Sequence, residues 1–185
     1  MNYLFILAFA WIAASIIWWT LKNGISPMPS SKKAQRAILE AISPDQTGTL
    51  YELGSGWGTL LIPLAKAHKQ CTIIGFETSR VPYIVSKMLI LILGLKNVHL
   101  FQKDFYTESL KDGTAVICYL YPKAMNKLKV KFEQELTTGT KVISNTFAIP
   151  EWKPEQILTI QDLYSTKIYI YKVDKNKQNM GYSQF

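Results

Sequence analysis

From about residue 48 onward the chain alternates short β-like apolar runs with helix-like segments, and this alternation confines it to few folds. "TLYELG" reads as a strand and residues 57–69 as a helix. "CTIIGFE" is a continuous apolar run, as expected of a parallel strand buried on both faces. "SRVPYIVSKMLILILG" is a helix closing near Gly94, with Pro82 tolerable in its first turn. "VHLFQKD" and "TAVICYL" are further strands, "KAMNKLKVKFEQEL" a helix, and "GTKVISNTF" a fifth strand. Strands alternating with helices imply a parallel sheet joined by right-handed crossovers. The end changes character: "EQILTIQDL" and "STKIYIYKV" flank a short turn and predict an antiparallel hairpin. The polar tail at 174–185 is expected to fray.

Ahead of this pattern, residues 1–21 ("MNYLFILAFAWIAASIIWWTL") carry no charged side chain. A helix of that length spans about 30 Å, the thickness of a bilayer core. Trp18 and Trp19 stand where an interfacial aromatic belt would lie, and Lys22, Lys32, Lys33 and Arg36 follow. The expectation is a single-pass transmembrane anchor with the soluble domain on the cytoplasmic side. A cleaved signal peptide would have a basic start and a shorter apolar core. "NGISPMPSS" is a linker whose prolines forbid continuing the first helix, and Ser30 or Ser31 can cap the helix that follows. The expected organisation is an anchor at 1–21, a linker at 22–31, a folded domain at 32–173 and the tail.

The net charge of +8 permits nucleic acid, an anionic membrane or an acidic cofactor, and no single stretch chooses among them. "KLKVKFEQEL" mixes both signs and reads as the solvated face of a helix. Cys71 and Cys118 lie in β-like runs and are expected to be buried free thiols. His68 and His99 do not cluster with them and take structural or surface places, so no metal site is expected.

The glycines at 54, 56 and 58 leave the first strand and open a helix, and they let a ligand approach the backbone. A phosphate-binding P-loop would end in Gly-Lys-Ser/Thr, whereas Gly58 precedes Thr59 and Leu60. A dinucleotide fingerprint would place a third glycine where Thr59 stands. What remains is an acidic-x-Gly-x-Gly-x-Gly pattern beginning at Glu52. Glu77 ends the second strand and Asp104 the third, so three carboxylates share the edge of the sheet where open α/β folds bind ligands. Glu77 would accept from both ribose hydroxyls, Asp104 would take an adenine amino group, and Glu52 would hold a cationic amine.

At these residues the chain resembles a class I S-adenosylmethionine-dependent methyltransferase. More closely, it resembles the small membrane-anchored protein-lysine methyltransferases that modify the ATP synthase c subunit and the adenine nucleotide translocase. The resemblance runs through the apolar N-terminus, Pro27, Pro29 and Ser30, then "ELGSGWG", "GFETS", "KDFY" and "VISNTFAIPEW". The last of these, with Phe147, Pro150 and Trp152, is the most specific. The family often has Asp where this chain has Trp57.

The resemblance implies a Rossmann-like seven-stranded sheet whose seventh strand runs antiparallel between the fifth and sixth. It implies a site for S-adenosyl-L-methionine built from Glu52, Gly54, Ser55, Gly56, Trp57, Gly58, Glu77, Asp104 and Phe105, with Tyr106 flanking the adenine. It places the acceptor loop in "CYLYPKAM", at Tyr119, Tyr121 and Pro122. The expected activity is methylation of a lysine amine on a membrane-associated protein, with no nucleic acid and no metal as partner. A membrane lipid or small amine as acceptor, and a non-catalytic adenosylmethionine-binding membrane protein, are the alternatives. The expected location is a bacterial inner membrane, or the mitochondrial inner membrane in a eukaryote. Ser144 and Asn145 end the fifth strand without an evident role.

Overall fold

The computed structural model describes residues 30–175 and, ahead of them, residues 3, 5–7, 10 and 11, which are helical and exposed. Most of the expected span at 1–21, the linker up to residue 29 and the tail from 176 lie outside the described residues. Among the described residues no helix is long and apolar enough to cross a membrane.

Seven strands form one sheet: β1 (Gly48–Leu53), β2 (Cys71–Phe76), β3 (Val98–Phe101), β4 (Gly113–Cys118), β5 (Lys141–Asn145), β6 (Gln156–Thr159) and β7 (Lys167–Lys172). Their order is β3-β2-β1-β4-β5-β7-β6. The first five are parallel; β7 runs antiparallel to both β5 and β6. The helices are α1 (Lys32–Glu40), α2 (Leu61–Ala67), α3 (Arg80–Ile92) and α4 (Pro122–Glu135), with a 3-10 turn at Phe105–Thr107. The hairpin therefore inserts its second strand, not its first, next to β5.

Strand order explains where the helices lie. The chain steps from β1 to β2 to β3 in one direction, then returns to β4 and β5 in the other. Right-handed crossovers put the helices of the two halves on opposite faces. Ala34, Ile38, Leu61, Leu64 and Ile90 of α1–α3 pack with Leu50, Ile73 and Ile117 on one face. Met125, Leu128 and Phe132 of α4 pack with Leu53, Val116 and Tyr171 on the other. The reversal leaves a crevice at the carboxyl ends of β1 and β4.

Three local expectations are refined. Ser31 rather than Ser30 caps α1, its hydroxyl accepting from Ala34 N at 3.2 Å. The helix expected over 57–69 is confined to α2, because Gly56 and Gly58 hold φ of +52° and +72°, which no α-helix accommodates. The charged stretch on α4 is not wholly solvated. Lys131 is buried, and its Nζ donates to Glu135 Oε1 and Glu108 O at 2.7 Å and to Tyr106 O at 3.3 Å. Such a cation is tolerated inside only because each donor has an acceptor. His68 is buried at the C-terminus of α2, and Cys71 and Cys118 are buried free thiols.

Candidate active site

A cavity of about 340 Å³ opens at the carboxyl ends of β1, β2 and β4. Its floor is the loop after β1, and the loop's backbone is tied down on both sides. Gly54 N and Ser55 N both donate to Phe76 O, at 3.0 and 2.9 Å, which locks the turn to the end of β2. Gly56 O accepts from Ser86 Oγ of α3 at 2.8 Å. A Cβ on Gly56 would meet nothing within 4 Å, so a side chain there would project into open space over the loop. Gly58 is different. It does not line the cavity, and a Cβ there would press on Ser86 Oγ at 3.0 Å. Its job is to let α3 approach the loop.

Glu52 stands at the register position between Gly75 of β2 and Ile117 of β4. It is 5% exposed and lines the cavity, and its Oε2 is buried without a hydrogen-bond partner. Burial pushes its carboxyl up to about 8; the nearby Glu77 charge adds to this and the Ser55 hydroxyl opposes it. A buried acid with an unpartnered oxygen, in the wall of a cavity, is costly unless a cation completes it.

Glu77, also buried, bridges two loops. Its Oε2 accepts from Gly56 N at 2.7 Å and its Oε1 from Ser79 N at 2.6 Å. Each oxygen keeps acceptor capacity beyond these bonds, so the carboxylate both organises the glycine loop and can receive hydroxyls. Asp104 is exposed at the rim and caps the 3-10 turn by accepting from Tyr106 N at 3.0 Å. Phe105 is buried beneath it, its ring centroid 4.4 Å from that of Tyr106. Tyr106 donates its hydroxyl to Ala124 O at 3.0 Å, and burial raises its ionisation well above the ordinary tyrosine value.

On the β4 side, Tyr119 and Tyr121 are half-buried and line the cavity with Leu120. Pro122 does not line it; it begins α4, where a missing N–H costs nothing. Trp57 lines the cavity. The wall also includes Ser30, Ser79, Lys103, Lys127 and Asn145, which sequence reasoning did not assign. Asn145 is 2% exposed and donates through Nδ2 to Ser30 Oγ at 2.9 Å. That bond pins the entry of the chain to the end of β5, across 115 residues of sequence. The only sequence signal for it was that Asn145 ends a strand at the ligand-binding edge. The adjacent Ser144 donates to Phe147 O at 2.5 Å and faces Cys118 Sγ at 3.6 Å. Burial pushes the Cys118 thiol up to about 12.

Comparison with known proteins places this geometry. A family model described as the ANTKMT methyltransferase domain matches residues 52–156. A protein-lysine N-methyltransferase of Saccharolobus islandicus is 26% identical over 152 residues, covering 81% of this chain and 94% of that protein. The adenine nucleotide translocase lysine N-methyltransferase of Mus musculus is 28% identical over 125 residues, covering 60% of this chain and 48% of that one. The match thus spans nearly all of the archaeal relative and about half of the mouse one. Among solved structures, an RNA methyltransferase from Salinibacter ruber in complex with S-adenosyl-L-homocysteine superposes with a TM-score of 0.73. It is 27% identical, over 80% of this chain and 95% of that one.

Proposed function

The chain belongs to the ANTKMT methyltransferase domain family, and from that premise we propose that it methylates a lysine amine on a membrane-associated protein. It is an S-adenosylmethionine-dependent methyltransferase. The reading rests above all on Glu52 Oε2, buried without a partner in a cavity shared with Glu77, Asp104 and two tyrosines.

The residues present fit the cofactor. Glu52 would pair with the methionine ammonium, Glu77 would receive the ribose hydroxyls, and Asp104 with Phe105 would hold the adenine. Gly54, Ser55, Gly56 and Trp57 would form the bed beneath. When bound, the cofactor supplies a methyl group already activated on a sulfonium. The protein's task is then to position the acceptor and keep it neutral. A lysine amine of ordinary pKa costs about 4.6 kcal/mol to deprotonate at pH 7. Tyr119, Leu120 and Tyr121 offer a largely apolar wall that disfavours the ammonium form and lowers that cost.

The membrane part of the proposal rests on the charge-free stretch at 1–21. The described residues within it, among them Tyr3, Phe5 and Trp11, are helical and expose apolar side chains. A single-pass anchor would raise the local concentration of membrane-bound acceptors.

The test is to incubate the full chain with radiolabelled S-adenosylmethionine and membranes, then separate protein, lipid and RNA. Label on a lysine of one protein band is expected. Label in lipid would move the acceptor to a membrane amine, and label in RNA would align the chain with its Salinibacter relative. Glu77→Ala is expected to weaken cofactor binding about 10- to 100-fold by titration. Undiminished affinity would remove Glu77 from the site.

A further inference from the structure

Helix α3 carries apolar side chains that the fold does not use. Pro82, Ser86 and Ile90, one stripe at i, i+4 and i+8, seat it on the sheet. On the opposite side of the helix Ile84, Met88, Leu91 and Ile92 form a second stripe at i, i+4, i+7 and i+8, and they are 50–75% exposed. Val85 and Leu89 widen it. Isolated exposed apolar residues need no explanation, but a contiguous helical face of this kind marks a contact surface.

The charges along α3 and the segment that follows it are of one sign. Arg80, Lys87 and Lys96 are exposed, and no Asp or Glu occurs between residues 78 and 103. A second copy packed on this face would bring cation against cation. The uncharged stretch at 1–21 could cover the apolar stripe but would leave all three cations without a counter-charge. An anionic bilayer satisfies both features at once: the stripe enters the headgroup–acyl boundary and the cations meet lipid phosphates.

We propose that α3 is an interfacial membrane helix, a contact between the catalytic domain and an anionic lipid surface in addition to any anchor at 1–21. The contact also orients the site. Ser79, immediately before α3, and Ser30, where the N-terminal stretch joins the domain, both line the cavity. A bilayer alongside α3 therefore holds the cavity rim at the membrane surface, where only lysines at that level reach it.

The test uses the full chain carrying Met88→Cys labelled with an environment-sensitive fluorophore; Cys71 and Cys118 are buried and do not compete. The protein is reconstituted into vesicles of phosphatidylcholine and phosphatidylglycerol, with or without lipids bearing a nitroxide at a shallow acyl position. The expected result is blue-shifted emission that nitroxide lipid quenches several-fold. A label at Gln134→Cys, an exposed position on α4, stays water-like. Adding Ile84→Asp and Ile92→Asp should abolish the quenching at position 88. Water-like emission at 88 in vesicles would overturn the proposal. So would blue-shifted emission that lipid nitroxide does not quench, because the stripe would then be covered by protein. Neither result bears on the methyl-transfer assay, so the two readings fail separately.

Discussion

The two faces of the sheet handle buried charge and apolar surface in opposite ways. On the α4 face Lys131 is buried, yet its ammonium meets Glu135 and two carbonyls, and Glu135 also receives Leu110 N at 2.8 Å. The outer surface of α4 is tied by Lys129 to Glu133 at 3.9 Å and to Glu151. On the α2–α3 face, Glu52 is as deeply buried but has an oxygen without a partner, and α3 exposes most of its large apolar side chains. One face pairs its buried cation within the chain; the other leaves a buried acid with an unpartnered oxygen and a contiguous apolar helix face exposed. Groups left open at a cost to stability are the ones available for binding.

The comparison breaks most visibly at Phe132. It is fully buried against Trp152 on the closed face, and Phe132→Ala should cost about 3–5 kcal/mol in chemical denaturation. A small loss would mean that α4 is not the better-packed layer.

The next effect sharpens the other face. Folding raises the Glu52 carboxyl from 4.5 to about 8. Between those values the folded protein keeps a proton that the unfolded chain has lost. Its contribution to stability is therefore full at pH 4 and falls as pH rises to 8, by roughly 3–5 kcal/mol at most. Glu52→Gln should flatten this decline in melts made without cofactor. In binding titrations, wild-type affinity for S-adenosylmethionine should rise between pH 6 and 8 as the carboxylate forms, and the Gln variant should lose that rise. Parallel pH profiles for the two proteins would place the unpaired charge elsewhere.

The smallest effect lies on α3. Met88→Ser changes a 56% exposed side chain, and stability should move by no more than about 0.5 kcal/mol. A larger loss would show that the stripe is covered in the folded protein and that the contrast between the faces is false.

Much of the sheet was legible because parallel strands buried on both faces write continuous apolar runs, as in "CTIIGF" and "AVIC". The hairpin was legible from two strand-like runs flanking a short turn. The length of α2 was not: glycines at 56 and 58 signal a loop, but whether they sit in positive φ depends on Phe76 O and Ser86 drawing the backbone down. The burial of Lys131 was hidden for a similar reason, since a charge pattern on one helix cannot show that the 105–110 loop will fold back over it.

The sequence by itself determined the order of elements and which acids end strands, because both follow from local periodicity and the direction of the chain. Tertiary structure decided what those residues meet. It brought Ser30 to Asn145, pulled Pro122 and Gly58 out of the cavity wall, left Glu52 Oε2 without an acceptor's partner, and turned the apolar arc of α3 outward. Each of these depends on which elements pack side by side, and contacts between residues distant in sequence are not encoded in any local pattern.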